Sequence, residues 1–209
     1  MSALDPDSIL EPERRYRLPL FPLPVVLLPS ASMPLHVFEP RYRQMVTDCL
    51  ASDGHFGLVY HDSDRQGPFL CEEGRVGCVA EILEHQGLDD GRSLIAVRGT
   101  ERFSIVDGIE SKSLYYEALV SPYRDNERLP DALLAARRQE SIHLFQAVLA
   151  SLPEQPEQLP EVRPDREASF RLAQTIGVDP SWHQELLELR DETTRLNELD
   201  RVFRAALGE

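Results

Sequence analysis

Apolar residues along this chain change their spacing once, near Pro122. Before that point they fall in short runs broken by Gly, Pro and Asp; after it they recur at helical intervals. Val25-Val26-Leu27-Leu28 reads as a short strand, which its flanking prolines confine to a sheet edge or to ends where no ladder donor is required. Pro40 suits the first turn of a helix that carries Tyr42, Met45, Val46, Cys49 and Leu50 on one face. Phe56 to Tyr60 reads as a strand. Cys78–His85 and Leu94–Val97 flank Gly87-Leu88-Asp89-Asp90-Gly91, whose turn chemistry predicts a hairpin. Phe103 and Ile105 alternate with polar residues in a further strand, and Leu114–Val120 adds one more. Several short strands with one early helix predict a small, partly closed barrel.

Beyond Pro122, Leu134, Ile142, Phe145, Val148, Leu149 and Leu152 predict a helix over 130–152. Residues 153–164, rich in Pro and Glu, read as a semi-rigid solvated connector. Asp165 is placed to cap a helix running to Gly177, where a left-handed C-cap is expected. Asp179-Pro180 is an N-cap followed by proline at the first helical position. Trp182, Leu186 and Leu189 share a face of that helix, and Leu196, Leu199, Phe203 and Ala206 share one on the last. Such stripes are more often core than docking surface. Residues 1–15 are polar and acidic and are expected to form a flexible tail.

Composition narrows the partners. The 209 residues carry a net charge of −14, which weighs against nucleic acid as the main partner. Lys112 is the one lysine, so any lysine-dependent mechanism must use it. Cys49, Cys71 and Cys78 include no CxxC pair, as expected of reduced, buried thiols. The N-terminus lacks the basic-then-apolar order of a secretory signal, and prolines break the longest apolar stretch. A soluble, cytoplasmic protein with no membrane partner is expected.

Motifs for chemistry fail one by one. Ser111, not glycine, precedes Lys112, and no two glycines stand two apart, so phosphate-loop and dinucleotide patterns are absent. Lys112 sits between Ser111 and Ser113 in a polar stretch with nothing to desolvate it for serine–lysine hydrolysis. Gly91-Arg92-Ser93 has Ile95 where a nucleophile elbow needs glycine. Asp62, Asp64 and Glu73 have calcium-loop spacing around Gly67. Gln66 and Pro68 depart from that pattern and a strand precedes it, so an acidic inter-strand loop is the favoured reading. The scattered histidines include no HExxH, and no cofactor or metal is expected. Glu39 with Arg41 and Arg43 suits either a site or an ion pair fixing the strand-to-helix junction, with Phe38 and Tyr42 as anchors beneath it.

Pro19-Leu20-Phe21-Pro22-Leu23, Pro34-Leu35-His36-Val37-Phe38-Glu39-Pro40-Arg41-Tyr42-Arg43 and Gly77-Cys78-Val79-Ala80-Glu81-Ile82 resemble the N-terminal substrate-binding domain of Lon-type ATP-dependent proteases. Gly99-Thr100-Glu101-Arg102-Phe103, Ser169-Phe170-Arg171-Leu172-Ala173 and Leu186-Leu187-Glu188-Leu189 extend the resemblance from about Tyr16 to Leu207. It implies an α+β fold: a PUA-like β pseudobarrel over 16–123, followed by a C-terminal helical bundle over 124–209. It also implies a non-catalytic recognition module, expected here in stand-alone form without the ATPase and protease domains. The expected partners are unfolded or specific protein segments, and a protease or its subunits for an adaptor. Phe38, Glu39, Arg41 and Tyr42 are the candidate contact or junction residues. The expected contact surface is the barrel's apolar face with free strand-edge groups, or the groove between barrel and bundle. Two other classes remain open: an RNA-binding PUA-like module, and a small-molecule enzyme using the barrel cleft.

Overall fold

The computed structural model describes residues 15–126, 129–152, 162–177 and 179–208. The expected tail up to residue 14 and the connector over 153–161 lie outside the described residues. Strands β1 (Tyr16–Leu23), β2 (Ser32–Val37), β3 (His55–Tyr60), β4 (Val76–Gly87), β5 (Ser93–Gly108) and β6 (Tyr116–Pro122) form one sheet in the order β2-β5-β4-β3-β1-β6. An additional β5–β6 pairing closes all but β2 into a barrel. The length of β5 makes this possible. Ser93–Arg98 pairs with β2 and Phe103–Gly108 with β6, while β4 follows the other side from Ser93 to Ser104. The runs around Leu94–Val97 and Phe103–Ile105, expected as two strands, are therefore one.

Val25–Leu28 is not a strand. Leu27 and Leu28 are buried, but the segment is a loop pinned to the middle of β5. Ser30 N–H donates to the Gly99 carbonyl at 2.9 Å and Gly99 N–H to the Ala31 carbonyl at 2.8 Å. The contact is tight: a Cβ at Gly99 would lie 2.2 Å from the Leu28 carbonyl oxygen. The proline-containing strand is instead β1, which is internal rather than at an edge. It tolerates its prolines because its neighbours change partway along. β6 pairs with Tyr16–Leu20 and β3 with Leu20–Leu23, so Pro19 and Pro22 each have one side where no ladder bond is required. Pro34 lies in β2, the edge strand.

Helix α1 (Pro40–Leu50) begins at the expected proline and buries Tyr42, Met45, Val46 and Cys49, while Leu50 turns out to solvent. A four-residue helix, α2 (Ser63–Gln66), lies between β3 and β4. The C-terminal helices are α3 (Asp131–Ser151), α4 (Ala168–Ala173), α5 (Pro180–Glu188) and α6 (Glu192–Leu207). α4 is shorter than the expected 165–177. Thr175 Oγ1 donates to the Leu172 carbonyl at 2.7 Å, a local bond that competes with helical continuation. The left-handed cap falls not at Gly177 but at Gly208, with φ of 81° closing α6. Asp179 caps α5 as expected, accepting from Ser181 N–H at 2.8 Å.

Two apolar clusters result. One fills the barrel with Leu20, Val59, Val79, Phe103, Ile105 and Val120. The other joins Phe21, Leu27, Tyr42 and Met45 to Phe145, Phe170, Leu186, Leu199 and Phe203. The α5 and α6 stripes are thus largely core, apart from exposed Ala206. Strands and helices share this second cluster.

Candidate functional site

The junction between β2 and α1 brings together three of its four candidate residues. Arg41 pairs with Glu39 at 2.9 Å, and its guanidinium lies 4.5 Å from the Tyr42 ring centroid and 5.6 Å from that of Tyr116. Tyr42 is buried, with its ring 4.1 Å from Phe21, and burial pushes its phenol pKa upward. Arg43 is not part of the pair; its guanidinium occupies the space above Gly91 at the hairpin tip. Phe38 departs from expectation. It is not an anchor beneath the junction but stands 57 % exposed, near His36 at 5.7 Å between rings.

Alternation along the strands extends that exposed ring into a patch. Ile95 and Val97 point into the core, so Leu94 and Ala96 face outward, opposite His36 and Pro34 on β2. Leu94 is 44 % exposed. β2 pairs only with β5, so no strand lies along its other side among the described residues. The sequence carried a signal for Leu94, the period of its own strand. It gave none for the register that sets Leu94 beside His36.

The acidic loop does not gather its carboxylates. Asp62 caps α2, accepting from Asp64 N–H at 3.1 Å, while Glu73 sits on an exposed turn. Among the described residues no group of three or more His, Cys, Asp or Glu side chains is placed to hold a metal. Burial pushes the Cys49 and Cys78 thiols up to about 12, far from a nucleophilic thiolate at neutral pH. Lys112 is exposed.

Sequence reasoning missed the polar lock between barrel and helices. Arg102 on β5 donates to the carbonyls of Leu187 and Leu189 at 2.6 and 2.7 Å, and to Asp125. Arg195 on α6, 1 % exposed, holds Asp125 through bonds of 2.8 and 2.7 Å and lies 4.4 Å from the Phe170 ring centroid. Burial raises the Asp125 pKa, but the Arg195 and Arg102 guanidiniums outweigh it and hold the carboxyl below its usual range. Further along, Arg138 pairs with Glu192 and Arg137 with Asp200, each at 2.6 Å.

Among the described residues no helix is long and apolar enough to cross a membrane. A closed pseudobarrel carrying a locked set of C-terminal helices and one free-edged strand defines an α+β, PUA-like module. The chain matches the model of the ATP-dependent protease La (LON) substrate-binding domain over residues 17–201, and it belongs to that family. It is similar to the Lon protease of Trichlorobacter lovleyi, 28 % identical over 203 residues that cover 94 % of this chain and 25 % of that protein. A crystal structure of a Lon N-terminal domain protein from Xanthomonas campestris is 27 % identical, with a TM-score of 0.58 over 88 % of this chain and 96 % of that one. The N-terminal domain of the Mycobacterium avium complex Lon protease shares the fold, with a TM-score of 0.62 at 18 % identity over 90 % and 98 % of the two chains. The chain spans about a quarter of the length of the full Lon proteases it matches.

Proposed function

We propose that this chain is a non-catalytic recognition module for unfolded or specific protein segments, acting in the cytoplasm as an adaptor for ATP-dependent proteolysis. Membership of the Lon substrate-binding family supports a recognition role. The observation that carries it further is the free edge of β2 beside the outward Phe38, His36 and Leu94. An extended segment can add its backbone to such an edge and set alternate side chains against the apolar face. Exposed aromatic and aliphatic groups next to an unpaired strand are otherwise an aggregation liability, so a binding use accounts for their presence.

Fluorescence anisotropy with short, uncharged apolar peptides tests this reading. Saturable binding is expected, weakened about tenfold, or ~1.4 kcal/mol, by Phe38→Asp combined with Leu94→Asp. Absence of saturation, or an unchanged affinity in the double variant, refutes it. The adaptor role has its own readout. Adding the chain to a Lon-type protease should change the degradation rate of a client it binds, and an unchanged rate removes that part of the reading.

A further inference from the structure

A cleft of about 490 Å³ lies between helix α1 and the tip of the β4–β5 hairpin. No carboxylate lines it, although the chain carries 36 Asp and Glu residues. The clefts around Glu117, Glu188 and Asp200, by contrast, each hold two or more. Arg43 lines this one from α1. A Cβ at Gly91 would overlap the Arg43 Nη2, so the guanidinium packs directly on the backbone of the hairpin turn. Gly91 also has φ of 78°, so the turn and the close approach require glycine together. The Arg43 guanidinium makes no hydrogen bond or ion pair among the described residues.

Ser93 supplies a second unused group. It shares the inward face of β5 with Ile95 and Val97 and is 6 % exposed. Its hydroxyl has no hydrogen-bond partner among the described residues. Unlike the unpartnered atoms sealed from solvent elsewhere in the chain, it remains accessible, and it opens on the cleft that Ser93 lines. Buried polar groups are usually satisfied, so a hydroxyl left open in this way points to a ligand. Arg92 is already spent: its Nε and Nη2 both reach Asp90 Oδ2 at 2.6 Å. The cleft therefore presents one uncompensated guanidinium and one unused hydroxyl, both held in place by packing before any ligand arrives.

We infer that this cleft binds one carboxylate of a bound protein segment, its C-terminal group or an Asp or Glu side chain, an inference that rests on the recognition reading above. A planar guanidinium matches a carboxylate through two parallel N–H···O bonds. A carboxylate has further acceptor sites, so the Ser93 hydroxyl donates a third bond. One uncompensated positive charge balances one negative charge, whereas a phosphate ester dianion leaves an excess. The cleft is also within reach of the recognition edge. Ser93 pairs with Val37, the last residue of β2. An extended segment leaving the free edge at that end reaches Ser93 across two strand spacings, ~10 Å. The net charge of −14 repels such a segment at long range, but salt screens that field beyond about 10 Å, so contact with Arg43 decides.

The test is an anisotropy and NMR titration of the full chain with one apolar peptide in three forms: a free C-terminal acid, a C-terminal amide, and an amide with Glu as its penultimate residue. At least one carboxylate form should bind about tenfold more tightly than the plain amide and shift the Arg43 side-chain and Ser93 amide signals. Which form does so identifies the source of the carboxylate. Arg43→Gln should abolish that preference, Arg43→Lys should keep part of it, and Ser93→Ala should reduce it about threefold. Arg98→Gln removes a guanidinium already paired with Glu81 at 2.6 Å and should leave the preference intact. Replacing Arg43 strands no partner among the described residues, so its variants keep the test independent of folding. Equal losses in Arg43→Gln and Arg98→Gln, shifts confined elsewhere, or tighter binding of inorganic phosphate than of N-acetyl-glycine overturn the inference. If all three peptide forms bind alike, this inference fails and the recognition reading stands. If none binds while N-acetyl-glycine still saturates at Arg43 and its amide does not, the recognition reading fails and the cleft's carboxylate preference remains.

Discussion

The barrel interior and the seam between barrel and helices are both buried, but they are built from opposite materials. Inside the barrel Phe103 belongs to an apolar cluster and its ring lies over the backbone of two glycines. A Cβ at Gly57 or Gly77 would come within 2.6 Å of its ring, so the space is already full. At the seam, Arg102 and Arg195 converge on Asp125 and on helix-end carbonyls. Around Phe103 the interior has no space for even one added carbon at either glycine. The recognition reading proposed above accordingly places contact at the β2 edge rather than around Phe103.

The largest effect should come from emptying the barrel. Phe103→Ala should cost about 4 kcal/mol in urea unfolding; a loss under ~1 kcal/mol would mean the interior is not close-packed. Next comes the seam. Asp125→Ala strands two buried guanidiniums and should cost about 3 kcal/mol, the low end for a broken buried pair because Asp125 is 28 % exposed. Replacing all three groups, Arg102→Met with Asp125→Leu and Arg195→Met, should recover most of that loss, since apolar groups need no partner. If the triple variant is worse than Asp125→Ala, the seam's hydrogen bonds contribute net stability of their own.

The pH dependence of the seam is a smaller effect with a defined sign. Asp125 has a lowered carboxyl pKa in the folded chain. Its contribution is therefore complete above the ordinary carboxylate value, near pH ~4, and is lost as pH falls through the lowered folded value. The stability gap between the parent chain and Asp125→Asn should narrow as pH drops below about 4. A gap that stays constant on acidification would show that the lock is steric, not electrostatic. The smallest effect belongs to the outer face. Phe38→Ser and Leu94→Ser should each change stability by no more than ~0.5 kcal/mol, because neither side chain is buried. A larger loss would mean that this face is part of the scaffold.

Elements specified by local chemistry were legible in the sequence. Pro40 at the start of α1, the Gly87–Gly91 turn and the Asp179-Pro180 cap each depend on a few adjacent residues. Apolar composition misled at Val25–Leu28, because a buried loop and a buried strand need the same residue types. Only the distant Gly99, which lets the Leu28 carbonyl approach β5, decides between them. The seam was illegible for a related reason. Its bonds join residues 23 and 70 apart in sequence, and no periodicity marks an arginine that will be buried. Of the junction residues, Tyr42 was placed correctly beneath the surface and Phe38 was not. A strand's last residue and the first beyond it differ in exposure without differing in apolar character.

The split pairing of β1 bears on how the chain acquires its shape. The β4–β5 hairpin joins near neighbours, whereas closing the barrel requires Tyr16 to find Val120. The shared core then waits for Leu199 and Phe203 on α6. Local pairing is fast and distant pairing is slow. On the ribosome, β1 would therefore emerge well before its partner β6, and its Tyr16–Leu20 half would wait unpaired even after β3 had arrived to pair with the rest. During its own synthesis the chain would thus briefly expose a segment of the kind that is buried once the barrel closes.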